Sequence, residues 1–166
     1  MKNFDEFPSL ASFDLIYGIG NIGRQDDGLG WAFVDAVEEQ GLAPGTLIRH
    51  YQLFFEDVDL IRRHNRVLFV DATKAEQTGC FAMEKVMPKL DDSFTSHAIS
   101  VQTIVAMCHQ CYSAFPDVWL LTVRGYEWEL QLGLTAGARL NLETALDGIT
   151  GKGITAAAPA AKAASL

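Results

Sequence analysis

The chain has 166 residues, 49% of them hydrophobic, and a formal net charge of −8. That length supports one domain with a substantial core rather than two. The acidic balance argues against a nucleic-acid partner, because phosphate binding needs clustered Lys and Arg. The one short basic cluster, Arg62, Arg63, His64 and Arg66, reads as a solvated helix end and loop. No apolar run is long enough to cross a bilayer, so no membrane is expected either. Residues 1–8 are acidic and lack the basic-then-apolar order of a signal peptide. Three cysteines, an odd number, do not make a disulfide framework, which makes a reducing cytoplasm the expected compartment. A monomer is the expected state.

Taken in order, residues 1–11 form an irregular lead-in broken by Pro8. A first strand is predicted over about 13–17 and a first helix over about 27–40, with Leu29, Phe33, Val34 and Val37 at helical spacing. Gly41 and Pro44-Gly45 end that helix and turn the chain. Residues 46–51 read as a second strand, and 55–63 as a helix burying Leu60 and Ile61. Arg66 to Asp71 (R-V-L-F-V-D) is the clearest strand, and its unbroken apolar run implies burial on both faces of a parallel sheet. Residues 81–86 suit a short edge strand and 90–96 an irregular stretch. A helix is predicted over about 99–112, a buried strand over 118–123, and a last helix over about 136–149 packing Leu140, Leu142, Ala145 and Leu146. The alternation predicts an α/β three-layer sandwich: a single, mostly parallel, twisted sheet of about five strands with helices on both faces. The domain is expected to span 1–150, followed by an alanine-rich tail over 151–166.

Between the first strand and helix lies D-L-I-Y-G-I-G-N-I-G-R-Q-D-D-G-L-G, from Asp14 to Gly30. Gly18, Gly20 and Gly23 make a literal G-x-G-x-x-G after a strand and before a helix, the setting of a dinucleotide site. Asp26 and Asp27 would repel a pyrophosphate there. The second strand ends in Arg49, His50 and Tyr51 rather than a ribose-binding acid, and little chain remains for a substrate domain. An NAD(P)-binding domain is therefore a minor alternative. Acids in a first helical turn also complement the helix dipole, so an N-cap pair is the plain reading of Asp26-Asp27.

Asp71 closes the strongest strand and, in a parallel sheet, emerges on the same edge as Asp27. Two carboxylates facing one crevice repel unless a proton or cation lies between them. His97, in F-T-S-H-A-I, stands at the start of the next helix. Asp27, Asp71 and His97 would together offer two oxygens and a nitrogen, a set suited to a divalent metal with open positions.

At these residues the chain resembles the nickel–iron hydrogenase maturation proteases, as a divergent branch. The resemblance runs from about Leu15 to Ile149. It rests on Gly18-Ile19-Gly20-Asn21, the acidic pair Asp26-Asp27 followed by Gly28, Asp71 in Val70-Asp71-Ala72, and Ser96-His97. Leu120 to Val123, Gly125, Glu127 and Leu132-Gly133-Leu134-Thr135 then match the family's last strand and the run into its final helix. The resemblance implies an aspartic-type, metal-directed endopeptidase that removes a C-terminal extension from a nickel-loaded hydrogenase large-subunit precursor. It implies Asp27, Asp71 and His97 as catalytic and metal-reading residues, with the nickel brought by the precursor. Gly20, Asn21 and Asp26 are the expected substrate contacts. A non-catalytic metal or metallo-protein binding module on the same fold is the main alternative. Two departures stand out: His50-Tyr51-Gln52-Leu53 replaces the Asp-Gly-Gly-Thr run of many members, and Asp27 stands where Glu is common. Cys108-His109-Gln110-Cys111 lacks a second pair to complete a zinc site, and its spacing predicts two buried apolar cysteines.

Overall fold

The computed structural model describes residues 7–90 and 99–152. His97 and residues 153–166 of the alanine-rich tail lie outside the described residues. Five strands form one sheet: β1 (Leu15–Ile19), β2 (Thr46–His50), β3 (Arg66–Thr73), β4 (Phe81–Lys85) and β5 (Asp117–Arg124), in the order β2-β1-β3-β5-β4. All pairings are parallel except that of β4 with β5. The helices are α1 (Leu29–Gln40), α2 (Asp57–Ile61), α3 (Val101–Tyr112) and α4 (Ala136–Thr150). Among the described residues no helix is long and apolar enough to cross a membrane.

Side chains alternate across a strand, and the central strands bury both sets. Leu15, Tyr17, Val67, Phe69 and Val118 pack with Ile61, Ile104 and Cys108 of α2 and α3. Ile16, Leu68, Val70, Leu121 and Val123 pack with Leu29, Phe33 and Val37 of α1 and with Ala145 and Ile149 of α4. These two slabs are the outer layers of the expected sandwich. The four α1 residues picked out by spacing are all fully buried.

Local chemistry sets the boundaries. The glycine turn begins later than expected, because Gly18 and Ile19 belong to β1 and pair with β2. The acidic pair sits in a 3-10 turn over Gln25–Gly28, and no side chain caps α1. Ser100 caps α3 by accepting from the Thr103 N–H at 3.1 Å, and Thr135 caps α4 from the Ala138 N–H at 3.2 Å. Ion pairs join Arg62 and Arg63 to Asp59, and Arg66 to Asp117, so the basic cluster is neutralised locally.

Two expectations need correction. Leu140 is 62% exposed and Leu142 only partly buried, whereas Ala145 and Leu146 are buried as expected, together with Ala138, Asn141 and Ile149. Cys108 is buried, whereas Cys111 is exposed. Three residues advance the helix by about 300°. That places Cys111 on the rim of the stripe formed by Val101, Ile104, Val105 and Cys108, where it is exposed.

α1 approaches the sheet closely at Gly30. A Cβ on Gly30 would lie 2.2 Å from the Ile19 carbonyl oxygen and 2.5 Å from that of Val70. Gly30→Ala would gain under about 1 kcal/mol of helix propensity, which the clash with two backbone carbonyls outweighs. A net loss of about 3 kcal/mol is expected from denaturant unfolding. For the thiols, burial pushes Cys108 up to about 11, so it stays protonated. A thiol-reactive dye is expected to modify Cys80 and Cys111 in the native protein and Cys108 only after denaturation.

Candidate functional site

The strand order reverses between β1 and β3, since β1 connects outward to β2 and β2 connects back to β3. Open α/β sheets hold ligands at such a switch point, beyond the carboxyl ends of the strands. Asp71 lies in β3 one residue past Val70, which pairs with Gly18 of β1. Asp27 follows β1 in the 3-10 turn that precedes α1. The chain therefore brings both acids to this edge.

The glycine turn is filled by the chain itself. Gly20 has φ +140°, and a Cβ there would lie 1.9 Å from the Asp27 carbonyl oxygen; only glycine admits that approach. The Asn21 N–H donates to both the main-chain oxygen and Oδ2 of Asp27, each at 3.2 Å. Asn21 Oδ1 accepts from the Gly23 N–H at 2.8 Å, the Gly20 N–H donates to the His50 carbonyl, and the Arg24 N–H to that of Asn21. These donors are committed, which leaves this turn poorly suited to a pyrophosphate and removes the main support for the nucleotide alternative. Gly20 and Asn21 shape the Asp27 loop through their backbone.

Asp27 and Asp71 are both partly buried. Each keeps one carboxylate oxygen without a hydrogen bond among the described residues: Asp27 uses Oδ2 for Asn21, and Asp71 uses Oδ1 for the Ala72 N–H at 2.8 Å. Burial pushes the Asp71 carboxyl up to about 7, the Ala72 N–H pulls it back, and the charge of Asp27 raises it further. The two acids thus act on each other electrostatically. No group of three His, Cys, Asp or Glu side chains that could hold a metal occurs among the described residues. The third member expected from sequence, His97, lies outside them.

Asp26 behaves in the opposite way. It is fully buried, and its carboxylate accepts four hydrogen bonds. Oδ1 accepts from the Thr135 N–H at 2.8 Å; Oδ2 accepts from the Tyr126 N–H at 2.7 Å, the Glu127 N–H at 3.1 Å and the Thr135 hydroxyl at 2.8 Å. Burial alone would raise its pKa, but the donors from Thr135, Tyr126 and Glu127 outweigh that and hold it below the usual carboxylate range. The substrate contact expected of Asp26 is replaced by an internal tie, since no face of its carboxylate is open.

Gln25 is a residue the sequence did not single out. It takes φ +46°, its backbone N–H donates to Gln131 at 2.9 Å, and its side chain holds Glu127 (3.1 Å) and the Glu129 N–H (3.0 Å). Arg24 and Gln131 form a parallel bridge beside it. Residues 24–26 therefore fasten the whole β5–α4 loop against the acidic turn. On the other flank, where the sequence departs from Asp-Gly-Gly-Thr, Trp31 Nε1 donates to the His50 carbonyl at 3.0 Å, and the Trp31 and Tyr51 rings lie 5.3 Å apart.

The fold is shared with solved structures of hydrogenase-processing enzymes. The chain superposes on the hydrogenase maturating endopeptidase HybD from E. coli with a TM-score of 0.64 and 18% identity, over 83% of this chain and 90% of that one. The [NiFe] hydrogenase maturation protease HycI from Thermococcus kodakarensis KOD1 gives 0.65 and 19%, over 86% and 94%. The endopeptidase HycI from Escherichia coli gives 0.61 and 20%, over 84% and 91%. No family model and no curated protein matches the sequence. At these identities the likeness establishes the fold, an α/β sheet of the maturation-endopeptidase type along nearly the whole chain.

The position of Asp71 gives a pH prediction. Its folded pKa, about 7, lies above its ordinary 3.8, so between those values the folded state holds a proton that the unfolded state has released. Stability should therefore fall as pH rises through this window and level off above it, by on the order of 2 kcal/mol after allowing for partial exposure. Thermal melting in chelator from pH 4 to 8 is expected to show that slope in the wild type and a flatter profile in Asp71→Asn.

Proposed function

We propose that this chain is a hydrogenase maturation endopeptidase that removes a C-terminal extension from a nickel-loaded large-subunit precursor. The observation that carries the reading is the pair Asp27 and Asp71 at the switch point, each with one oxygen unbonded among the described residues and with Asp71 raised by burial and by the charge of Asp27. A cation placed between such carboxylates relieves both their repulsion and their desolvation. The shared fold and the ordered motifs support this choice of substrate, a protein precursor whose own nickel would be the ion being read.

In this reading Asp27 is the better anchored ligand, since its loop is closed by Asn21 and Gly20. Asp71, whose pKa is raised by burial, would release its proton as the ion binds. His97 would supply the nitrogen of the set, and imidazole is the ligand that divalent nickel favours over carboxylate or water. α3 ends four residues before β5, so its C-terminus lies near the amino edge of the sheet. Its start, just after His97, is then directed toward the acidic edge. The precursor's nickel would polarise a water or the scissile carbonyl as a Lewis acid. Asp71, titrating near neutrality, is placed to exchange a proton with that water or with the departing amine.

Incubation with a nickel-loaded large-subunit precursor tests the proposal, with cleavage followed by the mass of the large subunit. Wild type is expected to cleave; His97→Ala and Asp27→Asn are expected to lose at least about 100-fold in rate, the scale of removing a metal ligand or its immediate support, with melting within a few degrees of wild type. A stable wild-type complex without cleavage would favour a metallo-protein binding module instead. Full activity in His97→Ala would remove the metal-reading role.

A further inference from the structure

Beyond Asp71 the ends of β3 and β5 open into a cleft of about 570 Å³, lined in part by Lys74, Arg124, Tyr126 and Trp128. Thr73 pairs with Arg124 across the two strands, so the cleft starts two or three residues, under about 10 Å of strand, from the candidate site. Its walls are held in place. The Tyr126 and Glu127 N–H groups donate to buried Asp26, and the Glu129 N–H donates to Gln25.

The cations here differ from four arginines elsewhere in this acidic chain. Arg49, Arg62, Arg63 and Arg66 each meet a carboxylate at 2.6 to 2.8 Å. Arg124 meets none among the described residues: its guanidinium lies 5.0 Å from the Tyr126 ring centre, and its Nε is buried without a hydrogen-bond partner. Lys74 likewise rests on an aromatic face, with Nζ 4.8 Å from the Trp128 ring centre. Stacking fixes a cation yet leaves its in-plane donors free. Three acids also border the cleft, Glu76, Glu127 and Glu129. Glu127 accepts from Gln25 at 3.1 Å, and all three are exposed, where water screens them. None bridges to Arg124 or Lys74. They disfavour a polyacidic ligand without occupying the inner donors.

We propose that this cleft is a subsite for a single carboxylate of the processed peptide, held by the Arg124 guanidinium with Lys74 at the rim. The subsite rests on the endopeptidase reading for the identity of its ligand alone. A planar guanidinium fork suits a carboxylate in two-point contact. The carboxylate has two sources, an acidic side chain near the cut or the free C-terminus of a short extension. In either case the subsite fixes which stretch of chain lies across Asp27 and Asp71.

Three peptides separate these sources when titrated at low salt against the full chain, read by tryptophan fluorescence because Trp128 lines the cleft. They are acetyl-Ala-Leu-Ala with a free carboxyl end, the same peptide amidated, and amidated acetyl-Ala-Glu-Ala. The wild type is expected to bind at least one carboxylate peptide roughly tenfold more tightly than the neutral one, the preference of a charge-assisted pair. Whichever peptide is preferred names the source. Arg124→Gln should lose the preference, and Arg124→Lys should retain part of it. Should Arg124→Gln lose its cooperative melt, Lys74→Gln, at an exposed position, carries the comparison and should weaken the preference measurably. Equal binding of all three peptides, no binding of any, or a preference unchanged in the folded variants overturns the subsite. Peptide discrimination without precursor cleavage would sink the endopeptidase reading and leave the subsite; cleavage without discrimination would do the reverse.

Discussion

The structure at the carboxyl edge depends on one buried charge. Removing a carboxylate from water costs several kcal/mol, and Asp26 is fully buried. Four donors from Tyr126, Glu127 and Thr135 offset that cost, each worth more than an ordinary hydrogen bond because the acceptor is ionised. The result is a joint between the loop after β1 and the loop after β5. Asp27 is the next residue in the chain, and the cleft wall begins at the Asp26 donors. Both the acidic pair across the crevice and the cleft wall take their positions from this joint.

Asp26 and Asp71 lie within one small region, yet their environments push their pKa values in opposite directions. Asp26 is surrounded by donors and held low; Asp71 is desolvated, has a single donor among the described residues, the Ala72 N–H, and feels the charge of Asp27, so it is held high. That division follows from what each carboxylate touches, which is how one fold keeps a structural anion and a titrating acid near each other. The close seating of α1 on β1 and β3 at Gly30 helps keep them together, because a wider helix–sheet spacing would draw the acidic turn away from β3.

Much of this was legible in the sequence. R-V-L-F-V-D announced a central parallel strand, and the spacing of Leu29, Phe33, Val34 and Val37 announced the buried face of α1. Those signals are local, and burial decides them. The direction of β4 was not legible, because a five-residue edge strand carries no mark of parallel or antiparallel pairing. Leu140 and Cys111 were misplaced for a related reason: periodicity ranks the sides of a helix but does not say how far neighbouring elements reach round it. Asp26 was read as half of a capping pair beside Asp27. Its donors lie 100 to 109 residues further along, and no local pattern links residues so far apart. Gln25 offered even less, since nothing in an ordinary Gln foretells a left-handed backbone or a two-handed grip on another loop.

That separation bears on the order in which the molecule comes together. A chain made from its N-terminus has β1, Asp27 and α1 in hand early, yet Thr135 is among the last residues of the folded body to appear. Until then Asp26 lacks the full set of donors that replaces water, and the less costly place for it is outside the core. Contacts of such long sequence separation are paid for in chain entropy before they return anything. The acidic edge is therefore a late product of folding. A nascent or truncated chain ending at β5 would carry Asp27 and Asp71 in their right sequence while lacking all four donors to Asp26 that join the two loops.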